Sequence, residues 1–271
     1  FMALECEKWK TGCYKCPLYK LYPGCFFDDS KKQYALKKNC FTGVPNLTIV
    51  TPSQWLVNLV KQSYLKDYNT VVINNGIDLT KFKPRESNFR GKYGLENKIV
   101  LLGVAFDWSL RKGINDFQRL AEELPEEYAI VLVGVSDVVE KELPKTIISI
   151  ACTQNQEELA EIYSAADLFV NPTLEDNFPT VNLEALACGT PVITYQTGGS
   201  PESLTEQCGK VVAYKDYTAL KDAILEMKDA KKSMAQACME RAQLFGREDA
   251  YQKYIELYKT VLEKGLLWIS F

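Results

Sequence analysis

Between residues 47 and 213, short runs of β-branched and aliphatic residues alternate with longer stretches whose apolar positions return at helical spacing. A parallel strand pair needs a long crossover, and a helix provides one. The alternation therefore restricts the chain to an α/β fold with a helix-covered parallel sheet. Strands are predicted at residues 47–51, 70–73, 99–103, 129–133, 146–150, 167–171, 191–194 and 210–213. Each is apolar almost throughout, as a strand buried on both faces should be. Helices are predicted at residues 53–65, 114–123, 157–166, 180–188 and 217–227, with two more at 231–245 and 247–263.

Residues 79–88, with Pro84, several charges and no periodic apolar face, read as a linker. On that reading residues 86–245 form a complete doubly wound parallel sheet. Residues 1–85 form a partial domain with two strands, one helix and an irregular Cys- and Lys-rich start, and residues 246–271 a terminal helix.

The chain has 271 residues, 46% hydrophobic and 25% charged, enough for a sizeable core. No apolar run approaches the roughly 20 residues of a membrane span. Residues 1–6 lack a basic stretch followed by a long apolar one, so the expected location is the cytoplasm. Histidine is absent, which removes the commonest general base and zinc ligand and leaves chemistry to carboxylates, Lys, Arg and backbone groups. Residues 1–100 hold 16 Lys and Arg against 8 Asp and Glu, and the remainder 16 against 27. A solvated face accounts for the basic third, as does a surface for a lipid-linked phosphate or for the inner face of the membrane. The basic residues are dispersed rather than interleaved with aromatics, which argues against nucleic acid as a partner.

The chemistry concentrates in residues 171–202, N-P-T-L-E-D-N-F-P-T-V-N-L-E-A-L-A-C-G-T-P-V-I-T-Y-Q-T-G-G-S-P-E. A strand ends at Asn171, and a loop follows with Glu175, Asp176 and Asn177. Pro179 suits a helix first turn, whose free N–H groups favour phosphate. Glu184 lies about a turn further on. A second glycine loop, residues 197–202, has Ser200 as a candidate N-cap and Pro201 after it. Residues 103–113 end a third strand, and Arg111 and Lys112 there could neutralise a pyrophosphate while Gly113 lets the backbone come close. In an open parallel sheet ligands bind at the carboxyl edge, where all three loops emerge. Phosphate for the helix ends and hydroxyls for the carboxylates together describe a nucleotide sugar.

These segments, Lys112-Gly113, residues 176–184, E-A-L-A-C-G-T-P-V-I, Gly198-Gly199-Ser200-Pro201-Glu202 and Asn75-Gly76-Ile77-Asp78, resemble the family-4 (group 1) retaining glycosyltransferases from about residue 47 onward. The resemblance implies a GT-B architecture of two Rossmann-like domains, here with an amino-terminally truncated first domain and a last helix crossing back to it. It further implies sugar transfer from a nucleoside diphosphate to a glycan or lipid-linked acceptor in cell-envelope polysaccharide synthesis, with retention and no cofactor. The family's acidic pair falls on Asp176 and Glu184, with Asp176 where Glu is usual, unless Glu175 shifts into the role. Asp176 or Glu175 would contact the donor sugar and Glu184 the ribose. Backbone N–H groups at Phe178, Thr180 and Val181, around Pro179, would hold phosphate or sugar oxygens. Lys112 and Arg111 would brace the leaving diphosphate, Arg111 standing in for the Arg that the family often has at the position of Val104.

Residues 6–17, C-E-K-W-K-T-G-C-Y-K-C-P, place Cys6, Cys13 and Cys16 at ligand-like spacing for a structural zinc, with Cys25 as a further candidate. Unpaired thiols and a disulfide are the other readings, and a bacterial subset of the resembled family carries a similar insertion. Cys152, Cys188 and Cys238 read as small buried hydrophobes. Two further functions stay open: a non-catalytic nucleotide-sugar-binding fragment, and a nucleotide-sugar epimerase of similar layout.

Overall fold

The computed structural model describes residues 6–20 and 24–266, and by contact the chain forms two compact units. The larger is Asn74–Lys253; the smaller is built from the chain up to Ile73 and from Tyr254 onward.

The larger unit holds six parallel strands, β3 (Ile99–Val104), β4 (Tyr128–Val133), β5 (Ile147–Ile150), β6 (Leu168–Asn171), β7 (Val192–Tyr195) and β8 (Gly209–Val212). Their order is β5-β4-β3-β6-β7-β8, so the winding reverses between β3 and β6, where Leu101 and Leu102 lie in register with Leu168 and Phe169. The sheet has a core on each face. Leu102, Val131 and Phe169 point to one, Leu101, Leu132 and Leu168 to the other. Burial on both sides explains the unbroken apolar strands.

The covering helices are α3 (Phe89–Tyr93), α4 (Ile114–Glu123), α5 (Asp137–Glu140), α6 (Gln156–Ala165), α7 (Thr180–Ala187), α8 (Tyr217–Glu226) and α9 (Lys231–Gln243). Side chains punctuate them: Asn155 caps α6 through the Glu158 N–H, and Asp216 caps α8 through the Ala219 N–H. At the other end of α6, half-buried Lys231 donates to the carbonyls of Ser164 and Ala166 at 2.6 and 2.5 Å and to the Thr190 hydroxyl at 3.1 Å. Burial lowers that ammonium to about 8.

The smaller unit pairs β1 (Thr48–Thr51) with β2 (Asn69–Val72) in parallel beside α2 (Gln54–Val60). The helix expected over residues 53–65 stops early because the Ser63 hydroxyl bonds to the Val60 carbonyl and accepts the Leu65 N–H, drawing the backbone into a turn. A helix that periodicity does not announce, α1 (Ser30–Phe41), buries no residue and so leaves no apolar stripe to read. The last helix, α10 (Arg247–Leu266), begins in the larger unit and groups with the smaller from Tyr254.

The stretch read as a linker is packed into the larger unit. Within it Phe82 is in that unit's core, Leu79 packs against the same core, and the Arg85 N–H reaches the Ser164 hydroxyl at 3.0 Å. Two apolar anchors are too few to set up a period, which is why they escape pattern reading. Among the described residues no helix is long and apolar enough to cross a membrane.

Candidate functional site

At the reversal between β3 and β6, the two strands splay and their following loops open a cleft of about 400 Å³. The loop after β3 is pinned by buried Trp108, whose indole N–H donates to the Val133 carbonyl at 2.9 Å. It continues into a single 3-10 turn, Leu110–Lys112. Gly113 follows with φ of 77° and caps α4. A side chain there would meet the Pro172 carbonyl at 2.4 Å, so this glycine brings two loops of the protein together rather than admitting a ligand phosphate.

The loop after β6 lies along the first one. Leu174 N–H donates to the Arg111 carbonyl at 2.7 Å, and Lys112 Nζ meets Asp176 Oδ2 at 2.8 Å. Arg111 faces Glu175 more loosely, at 3.7 Å. Lys112, Arg111 and Asp176 line the cleft, whereas Glu175 does not and Asn177 points to solvent. The adjacent carboxylates are thus separated, one turned inward on Lys112 and the other held outside by Arg111.

Phe178, Pro179, Thr180 and Val181 form the facing wall. Pro179 is the N-cap of α7 and Thr180 its first residue, so the N–H groups of Thr180 and Val181 are first-turn donors without intrahelical acceptors. The Phe178 N–H, expected to hold a ligand oxygen, is instead taken by Asp176 Oδ1 at 3.2 Å. Glu184 lies beneath this wall. It is largely buried, accepts the Tyr163 hydroxyl at 3.0 Å and is absent from the cleft surface. Burial raises its carboxyl to about 7, against opposing hydrogen bonds from Tyr163 and Thr180.

The second glycine loop supports the first carboxylate loop from behind. Gly198, at φ of 54°, lies so close to Asp176 that a Cβ would stand 1.8 Å from its carbonyl oxygen, and the Gly199 N–H donates to that same oxygen at 3.1 Å. No second helix start is delivered there. Residues Ser200–Ser203 form one 3-10 turn with Gly199 as its cap, because Ser200 is drawn into a buried network instead. Asn182 donates to Ser200 and Ser203, both at 3.0 Å, and accepts from Asn171, while Thr194 bonds Ser200 at 2.8 Å. Asn182 and Asn75, which lines the cleft, are the residues that reading the sequence for charge did not single out. Both sit inside motifs it did quote.

Cys6, Cys13 and Cys16 are free and partly buried, and Cys25 is exposed. The Cys13 thiol is raised by burial and then by neighbouring Cys6. Among the described residues no group of three or more His, Cys, Asp or Glu is arranged to hold a metal ion. Cys188 and Cys238 are buried as expected; Cys152, in the loop beyond β5, is exposed.

Residues 96–229 match the family model described as glycosyl transferases group 1. The putative colanic acid biosynthesis glycosyl transferase WcaC of Escherichia coli (strain K12) is 28% identical over 225 residues, 79% of this chain and 53% of that protein. The alpha-galactosylglucosyldiacylglycerol synthase of Streptococcus pneumoniae is 27% identical, with 83% and 62% covered. The chain therefore spans about half to three-fifths of these relatives. Among solved structures, sucrose-phosphate synthase of Thermosynechococcus elongatus superposes with a TM-score of 0.74 at 25% identity, covering 87% of this chain and 63% of that one. Anabaena Alr3699/HepE, solved in complex with UDP-glucose, shares the fold with a TM-score of 0.70 at 20% identity, covering 83% and 67%.

Proposed function

We propose that the β3/β6 cleft binds a nucleoside-diphosphate sugar for transfer to a glycan or lipid-linked acceptor with retention, in keeping with the match of residues 96–229 to the glycosyl transferases group 1 model and with the GT-B fold. The observation that carries this is a lysine and a carboxylate meeting at the sheet's switch point beside a helix start. The cation and the helix start suit a diphosphate, and the carboxylate suits sugar hydroxyls. Lys112 and the first-turn amides of α7 brace the diphosphate, with Arg111 at the rim. Such preorganised donors are worth several kcal/mol where charge develops on a leaving group. Asp176 faces the transferred sugar. Glu184, beneath the wall, is assigned the ribose hydroxyls by the family's spacing. The bond from the anomeric carbon to the diphosphate breaks as the acceptor oxygen bonds the same face, and the acceptor proton passes to a diphosphate oxygen.

The acceptor belongs to the cell envelope, and the enzyme works at the inner face of the membrane. Supporting this, the smaller unit exposes Phe26 at 96% and Phe27 at 85%, with Lys31, Lys32, Lys37 and Lys38 exposed on α1 close by in sequence. Aromatic side chains beside lysines suit an anionic lipid surface. Asp28 and Asp29 temper the local charge.

Calorimetric titration with a panel of nucleoside diphosphates and their sugars tests the donor site. Saturable binding of one nucleotide series supports it, and no binding to a folded chain contradicts it.

A further inference from the structure

The Asn-Gly-Ile-Asp segment, residues 75–78, has no part in the donor contacts assigned above. Its backbone is nonetheless clasped to the start of the last helix. Ile77 donates to the Phe245 carbonyl at 2.9 Å and its own carbonyl accepts the Arg247 N–H at 2.9 Å. Arg247 pairs with Asp78 at 2.8 Å, and Asp78 also accepts from the Thr80 N–H at 2.9 Å. Gly76 lies so near the helix start of α10 that a Cβ would stand 2.5 Å from Arg247 Cα. The clasp leaves no room for a side chain at Gly76.

From it, Asn75 extends onto the cleft wall and its Nδ2 donates to the Phe178 carbonyl at 3.0 Å. Phe178 is the residue before the N-cap of α7. Its N–H is held by Asp176, its carbonyl by Asn75, and its buried ring packs on Phe245, a member of the same clasp, with centroids 5.5 Å apart. With both polar groups of Phe178 engaged, the peptide plane that leads into Pro179 is fixed, and so is the direction of the Thr180 and Val181 N–H groups. A helix start binds an anion only when its free amides converge on it.

We infer that Asn75 is a positioning residue for the donor: it fixes the turn that aims the first amides of α7 at the diphosphate. The inference rests on the donor-site reading and adds a residue outside the glycine and carboxylate loops. Asn75 is exposed and its amide makes a single bond to the fold, so its loss should cost little stability while loosening the phosphate site.

The test titrates UDP into the parent chain, Asn75→Ala and Asn75→Gln, with a thermal melt of each. Asn75→Ala is expected to raise the UDP dissociation constant about tenfold, the loss of one well-placed hydrogen bond, with a melting temperature close to that of the parent. Asn75→Gln, which keeps the amide donor, is expected to recover part of that affinity. UDP binding by Asn75→Ala within twofold of the parent overturns the inference, as does a loss of binding that only follows a loss of folding in both variants. If the parent binds another nucleoside diphosphate of the panel instead of UDP, the same comparison is read with that one; if it binds none of them, the donor-site reading fails first and this inference with it.

Discussion

Lys112 and Asp176 stand 64 residues apart in sequence and meet at 2.8 Å between the loops that follow β3 and β6. Neither group is deeply buried, so the pair adds little to stability by itself. Its consequence is chemical. On the proposed donor reading, a diphosphate entering the cleft would compete with Asp176 for the same ammonium, and what it would displace is the carboxylate assigned to the sugar.

If Asp176 acts on the sugar rather than on the fold, Asp176→Asn should reduce transfer at least about a hundredfold while leaving the melting temperature nearly unchanged. Release of sugar from a radiolabelled UDP-sugar to acceptor, measured beside a thermal melt, separates the two. An active Asp176→Asn variant would remove Asp176 from the chemistry.

Glu184 makes stability depend on pH. Its carboxyl is raised to about 7 in the fold from an ordinary 4.5, so its favourable contribution is complete below 4.5 and is lost as pH rises through 7. Replacing it with Gln keeps an acceptor for the Tyr163 hydroxyl and removes the buried charge. Glu184→Gln should therefore stabilise the chain at pH 8, by up to about 3 kcal/mol, and by almost nothing at pH 4.5. Urea titrations at the two pH values read this directly, and a gain equal at both would contradict it.

Gly198→Ala would force a methyl group against the Asp176 carbonyl at a backbone angle that favours glycine. The expected cost is about 2–4 kcal/mol, together with weaker UDP binding, because the carboxylate loop must move away from its support. Denaturant unfolding and UDP titration of this variant should both change.

For membrane contact, vesicles containing phosphatidylglycerol should retain the chain and neutral phosphatidylcholine vesicles should not. Phe26→Ser with Phe27→Ser is expected to lower retention about tenfold, since two exposed aromatic side chains lose the apolar phase they would enter. Equal retention by both vesicle types would point to a surface other than this one.

Much of this architecture is legible in the sequence because strands buried on both faces announce themselves as apolar runs, and the six strands of the larger unit fall close to where those runs lie. Reading the strands puts Lys112 and Asp176 at one carboxyl edge, but their meeting depends on β3 and β6 being neighbours, which the order of strands along the chain does not give. What stays hidden depends on contacts that have no period. Nothing in E-D distinguishes Glu175 from Asp176 until Arg111 and Lys112 each take one. Glu184 looks like a surface carboxylate until Tyr163 covers it. Ser200 reads as a helix cap, and only the buried Asn182 amide shows why it caps nothing. Residues 79–88 resemble a linker because only Leu79 and Phe82 anchor them, too few positions to show a period.

The competition for Lys112 can be read from opposite changes in one titration. UDP is added calorimetrically to the parent, Lys112→Ala and Asp176→Asn. Lys112→Ala should weaken binding at least about tenfold, because a charge-assisted contact to phosphate is lost. Asp176→Asn should tighten it, because the ammonium no longer has a carboxylate to leave. Weakening by both variants, or no effect of either on a chain that binds UDP, would contradict a diphosphate seated between Lys112 and the start of α7.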